Sequence, residues 1–268
     1  MEKLLSTMRY LIVTLCSLGI LSLSAQTQAY VDYWDYNTKS VKSKGAYLKG
    51  EKDGTWFYYY KNGQKKEEIE YSKGLLNGKA VNYYPNGAKE SVGYFVFGSQ
   101  DSTYQAFYED GTLATKGQYE DHKKEGTWEY FYPNGKLRKV VRFSAKNPDG
   151  KIIESYDLEA KQLVVAGNGI HKEFDKTGSL LELIGIKDGL EHGDYIQYYP
   201  NGKVHIKGMY QEGQKTGEWI SYFPDQTVKT HYTYSNGVLD GLCKEFFKPG
   251  VLNFSGYYDR GLKSKDWQ

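Results

Sequence analysis

The chain has 268 residues, with 35 Lys plus Arg against 33 Asp plus Glu, and 27 Tyr and 30 Gly but only 6 Pro. Charges that nearly cancel exclude a nucleic-acid binder working through a basic face. Tyr packs well on a pleated surface and Gly reaches positive φ without steric cost, so this pairing predicts many short strands joined by tight turns.

In chain order, the first element is a leader. Lys3 and Arg9 precede an uncharged apolar stretch, Leu11 to Leu23, and Ser22, Ser24 and Ala25 supply small residues at its end. This is the pattern of a secretory signal peptide over residues 1–25, and the stretch is shorter than the ~20 residues a membrane span needs. Cys16 follows Leu15 rather than a small residue, which argues against a lipoprotein signal. The expected address is the periplasm or the exterior. Beyond residue 25 the only cysteine is Cys243, so no intrachain disulfide is expected.

The remainder is a repeat. Turn glycines recur every 24 residues at Gly63, Gly87, Gly111 and Gly135, and again at Gly178 and Gly202, with Gln226 in the next slot and then Gly250. Four residues before each stands an aromatic, as in Tyr59, Tyr83, Phe107, Phe131, Tyr198, Tyr222 and Phe246. Seven before stand Trp56, Ala80, Tyr104, Trp128, His171, Tyr195, Trp219 and Cys243. Eight after stand Tyr71, Phe95, Tyr119, Phe143, Ile186, Tyr210, Tyr234 and Tyr258, and six after stand small or aliphatic residues including Gly45, Gly93, Gly117, Gly208 and Gly256. The phrase Tyr84-Pro85-Asn86-Gly87 returns at Tyr132–Gly135 and Tyr199–Gly202. Pro presets the first corner, Asn suits the second and Gly takes the left-handed residue, which predicts a three-residue hairpin with a bulge at the glycine. Each unit is therefore strand, turn, strand, then a second glycine-rich connection.

The rhythm breaks once. From Gly135 to the Ala160 slot is 25 residues, and from Ala160 to Gly178 only 18. The shortening falls at Val164–Gly169, where a tighter return is expected. The sequence leaves open a seam between two arrays or one continuous sheet. The predicted organisation is a leader over 1–25, an N-terminal hairpin array over 26–143, an irregular unit over 144–177, and a C-terminal array over 178–268 ending in a partial strand.

The phrase Gly54-Thr55-Trp56-Phe57-Tyr58-Tyr59-Tyr60-Lys61-Asn62-Gly63 returns as Gly126–Gly135 and, in part, as Gly217–Phe223. It resembles the MORN repeat, in the bacterial variant of YwqK-type antitoxin-like proteins, over roughly residues 30–268. The resemblance implies an all-β, elongated antiparallel meander of hairpins and a scaffold associated with membrane-lipid contact, protein assembly or toxin neutralisation. A signal peptide fits a cytoplasmic antitoxin badly.

Side chains alternate faces along a strand. With unbroken alternation beyond the turn, the residues four before, two after, six after and eight after the turn share one face, taken as the core. The other face then carries Trp56, Tyr58, Tyr60, Tyr104, Trp128, Tyr130, Tyr132, Tyr195, Tyr199 and Trp219 among charged residues. Aromatic anchors typify interfaces and repeat sheets present extended surfaces, so these ten are the candidate binding surface; packing against the adjacent hairpin is the competing role. No catalytic, cofactor or metal site is expected. The five histidines occupy five different repeat columns, no glycine-rich segment ends in G-K-[ST], and Cys243 reads as a packed residue. The leading expectation is an exported, non-enzymatic scaffold at the cell envelope that binds an unknown protein partner. A cell-wall glycan module, an immunity-like protein and a lipid-surface binder are the alternatives, and no nucleic acid is expected.

Overall fold

The computed structural model describes residues 26–268; the leader expected over 1–25 lies outside them. No helix occurs among the described residues. Twenty-one strands, from β1 (Thr27–Asp35) to β21 (Leu262–Trp267), form one antiparallel sheet. Each strand pairs with its neighbours in sequence, so the sheet is an open meander of hairpins.

The turn chemistry is as predicted. Gly63 N–H donates to Tyr60 O at 2.9 Å and Tyr60 N–H to Gln64 O at 2.8 Å, with Gly63 at φ +84°. The corner Asn62 accepts from Gln64 N–H at 3.0 Å, and Asn86, Asn134 and Asn201 do the same in their units. The other edge is made of two-residue turns such as Lys73-Gly74 and Asn236-Gly237, both residues at positive φ. That geometry matches the right-handed twist of the flanking strands.

Successive units are stitched together at both edges. On the second-connection edge, Gly74 N–H donates to Lys52 O at 2.9 Å and Gly98 N–H to Leu76 O at 2.7 Å, and Gly213, Gly237 and Gly261 repeat the bond. On the proline-turn edge, the hydroxyl of Tyr60 donates to Tyr83 O at 2.8 Å. Tyr84, Tyr108, Tyr132 and Tyr199 each reach the equivalent carbonyl of the following unit at 2.7–2.9 Å.

Strand register corrects the predicted faces. Tyr59 lies opposite Lys65, as expected, but the next pair is Tyr58 opposite Glu67, then Trp56 opposite Ile69. The returning strand carries an extra residue just beyond the turn, and the same shift recurs in the other hairpins. A one-residue bulge moves every later side chain to the opposite face. The tryptophan column therefore shares its face with the glycine column and the Tyr/Phe column eight after the turn. That face is the core. Trp56, Trp128, Val141, Phe143, Val164, Ile184, Ile186, Trp219 and Cys243 are all buried on it. The aromatics four before each turn are half-buried on the opposite face, with lysines such as Lys44 and Lys116 over their rings.

The sheet runs through the irregular unit without a break. The extra residue is a bulge: Val140 pairs with Glu154 and Val141 with Ile152, leaving Ile153 over. The shortening gives a four-residue β12 (Gln162–Val165) returning through Ala166-Gly167 into β13 (Asn168–Phe174). Gly167 N–H donates to Ile153 O at 2.8 Å and Gly167 O accepts from Gly189 N–H at 2.9 Å, so the short return is held from both sides. Ile152 packs against both apolar clusters, the one around Trp128 and the one around Val164.

Candidate functional site

The buried face is built from one tile used three times around Trp56, Trp128 and Trp219, and Trp267 on β21 repeats its glycine floor (Gly256), its edge-on ring (Tyr258 at 5.2 Å) and its lysine cap (Lys263 Nζ at 4.1 Å). In the Trp128 tile, Gly117 on the preceding strand leaves room for the indole to lie on the backbone; a Cβ there would sit inside the ring. Gly45 and Gly208 serve Trp56 and Trp219 in the same way. The indole N–H donates to a carbonyl ten residues back: Ala46 O at 3.0 Å, Gln118 O at 3.0 Å and Met209 O at 3.1 Å. Rings of Tyr47, Tyr119 and Tyr210 meet the indole edge-on at 5.0 Å between centroids, and Tyr71, Phe143 and Tyr234 do so at 6.2–6.3 Å. A third ring lies beside it on the preceding unit: Tyr30 at 5.5 Å, Tyr104 at 5.8 Å and Tyr195 at 5.1 Å.

Each indole is capped by the lysine four residues earlier. Lys52, Lys124 and Lys215 place Nζ 4.5, 4.4 and 4.2 Å from the ring centroids of Trp56, Trp128 and Trp219. The recurring phrase Lys-x-Gly-x-Trp in Lys52–Trp56, Lys124–Trp128 and Lys215–Trp219 carries this contact in the sequence. These lysines are absent from the predicted candidate set, because reading the repeat column by column hides a pairing that lies along one strand.

Two positions distinguish the third tile: Tyr232 faces Trp219 where Ile69 and Val141 face Trp56 and Trp128, and the residue two after the indole differs. Two residues after Trp56 and Trp128 stand Tyr58 and Tyr130, whose rings lie 6.3 and 6.4 Å from the indoles at 29° and 30°. Their hydroxyls accept from Lys52 Nζ at 2.6 Å and Lys124 Nζ at 2.9 Å. Two residues after Trp219 stands Ser221, whose Oγ is hydrogen-bonded to Thr230 Oγ1 at 2.6 Å. Beside Ser221 there is a half-open cavity of about 400 Å³, walled by Tyr195, Tyr210, Trp219, Tyr232 and Tyr234 and floored by Gln197, Ser221 and Thr230. Lys215 lines it.

The ten predicted surface residues therefore divide. Trp56, Trp128 and Trp219 are buried, at 1, 1 and 6% exposure, and their expected display on an open face is corrected by the register shift. Tyr132 is buried and its hydroxyl, pushed up to about 12 by burial, is a rung of the turn-edge ladder. Tyr60 and Tyr199 are half-buried rungs of the same ladder. Tyr58, Tyr104, Tyr130 and Tyr195 are half-buried tile rings. Burial also raises the Tyr195 phenol, which donates to Glu182 Oε2 at 2.9 Å.

The irregular unit replaces the tile with charge. His171 stands in the tryptophan column, 2% exposed, with Nε2 3.0 Å from Glu173 Oε1. The same carboxylate takes Lys139 Nζ at 2.8 Å and faces Arg138 Nη1 at 3.5 Å. Burial would raise the Glu173 carboxyl, but the His171 hydrogen bond and the charges of Lys139 and Arg138 outweigh it and hold it down to about 2. Lys139 reaches Glu173 from β10 (Leu137–Ser144) to β13, tying the N-terminal array to the irregular unit on the core face.

Comparison with known proteins fits the tile. The family model described as MORN repeat variant matches residues 52–73, 100–121, 124–145 and 191–212. These four segments are MORN repeats. Two of the matched segments begin at or beside a capping lysine, Lys52 and Lys124, and span the tryptophan, the turn and the returning strand. None of the curated proteins matches the sequence. The crystal structures of TcdB2-TccC3 and TcdB2-TccC3-Cdc42 align with 90% of this MORN chain at 13% and 12% identity, with TM-scores of 0.24 and 0.22. The chain spans 16% and 15% of those longer chains, and likeness at that level carries no functional argument.

Proposed function

We propose that this MORN chain is an exported, non-enzymatic scaffold that holds a protein partner on the Trp face of its C-terminal array. The observation that carries the reading is the unfilled third tile: the N-terminal tiles are closed by their own tyrosines, while the Trp219 tile keeps aromatic walls and hydrogen-bonding groups open to solvent. Concave sites lined by aromatic rings with a few convergent polar groups are the usual places for recognition. A repeat sheet offers them on a rigid, extended support. Export rests on the leader pattern of residues 1–25.

A photo-crosslinking residue at Gln197, compared with one at Ala106, which stands in the same place beside the closed Trp128 tile, tests the binding face. Adducts with one defined protein from Gln197 and none from Ala106 support it; equal or no labelling overturns it. Sequencing of the mature N-terminus from an envelope fraction tests export, with residues 1–25 expected to be missing.

A further inference from the structure

The molecule contains its own template for what the open tile binds. We infer that the slot beside Trp219 receives a tyrosine side chain of the protein partner, in the place Tyr58 and Tyr130 occupy in their own tiles. This rests on the proposed protein-binding role of the C-terminal face and names the group recognised there.

The argument is a comparison of three tiles with one plan. The floor glycine, the indole N–H bond, the edge-on rings, the flanking ring and the lysine cap recur at closely similar distances around Trp56, Trp128 and Trp219. The third tile lacks the ring two residues on and has Tyr232 facing the indole in place of Ile69 and Val141; the Tyr232 hydroxyl is turned to Glu245 Oε2 at 3.0 Å. In the complete tiles the ring two residues on has two properties. It lies beside the indole at a shallow angle, and its hydroxyl accepts from the capping ammonium. A group that reproduces both must be flat, aromatic and para-hydroxylated. A phenylalanine ring fills the space but gives Lys215 no acceptor.

The strand neighbours leave the space free. Ser221 pairs with Ile206 on one side and Thr230 on the other, whereas Tyr130 pairs with Thr115 and Lys139. The Ser221–Thr230 hydroxyl pair satisfies itself within the floor and leaves the Lys215 ammonium directed over Trp219 at the rim. Trp219, at 6% exposure against 1% for Trp56 and Trp128, is the least covered of these three indoles.

The test uses the indole N–H signals of the whole exported chain in NMR, titrated separately with N-acetyltyrosinamide, N-acetylphenylalaninamide and N-acetylglucosamine. The Trp219 signal should move with the tyrosine probe and the Trp56 and Trp128 signals should stay. The phenylalanine probe should bind several-fold more weakly, and Lys215→Met should erase that preference. Ser221→Tyr should fill the slot from within, raise the melting temperature and abolish the Trp219 response. Tyr130→Ser should open a second slot and make the Trp128 signal respond. A response to N-acetylglucosamine in preference to the tyrosine probe assigns the slot to a sugar and overturns the inference. So does silence of Trp219 with every probe, or a Ser221→Tyr chain that loses stability. Crosslinks from Gln197 that persist while the tyrosine probe fails leave the scaffold reading standing and remove this one alone.

Discussion

The N-terminal and C-terminal arrays use the same tile for different ends. Around Trp56 and Trp128 the tile is complete, with Tyr58 and Tyr130 closing it and giving the capping lysines an acceptor. Around Trp219 the tyrosine is replaced by Ser221 and the facing residue is Tyr232, and a cavity opens beside them. In a single-layer repeat sheet a small side chain at one position of the buried face opens that face to solvent, and on the function proposed above the core and the recognition surface are one face.

The comparison breaks or sharpens under substitution. Trp128→Ala removes the centre of a closed tile and should cost about 3–5 kcal/mol in denaturant unfolding. Trp219→Ala should cost measurably less, because its tile is already open on one side. Equal losses would mean that the open slot has no energetic weight. At the junction, the Glu173 carboxyl is depressed in the folded chain, so its contribution is present above its ordinary value of 4.5 and lost as pH falls toward about 2. A shift of that size corresponds to stability on the order of 3 kcal/mol. Acid titration of the unfolding midpoint should show this loss in the parent chain and lack it in Glu173→Gln.

Gly117→Ala and Gly208→Ala each push a Cβ into an indole, and each should cost about 1–3 kcal/mol. The two losses should agree, since the tile floor is the same in both arrays; a large difference would show that the C-terminal indole can shift within its open tile. The smallest expected effect is Tyr130→Phe, which keeps the ring and removes only the acceptor of Lys124, at about 1 kcal/mol. Thermal melts of this variant against Tyr130→Ser separate the hydroxyl from the ring.

Much of the architecture was legible. The 24-residue period, the Pro-Asn-Gly turns and the aromatic columns followed from local chemistry that depends on near neighbours alone. The faces were half legible: the ten aromatic residues were grouped on one face, but Trp56, Trp128 and Trp219 were set apart from the core columns with which they are buried. The cause is the extra residue three positions after each turn glycine or its substitute, a bulge with no residue type of its own to announce it. Alternation counted without it inverts every later side chain.

The sequence alone determined the repeat, its all-β hairpin form and its interruption near Val164, because period, turn residues and insertions are properties of the chain read locally. Only the tertiary structure decided which columns meet. Register between strands fixed the tryptophans onto the glycines, brought Lys139 across to Glu173, and left Ser221 where two other tiles hold a tyrosine. These contacts join residues on different strands, and strand register depends on backbone hydrogen bonding that no single column of the repeat encodes.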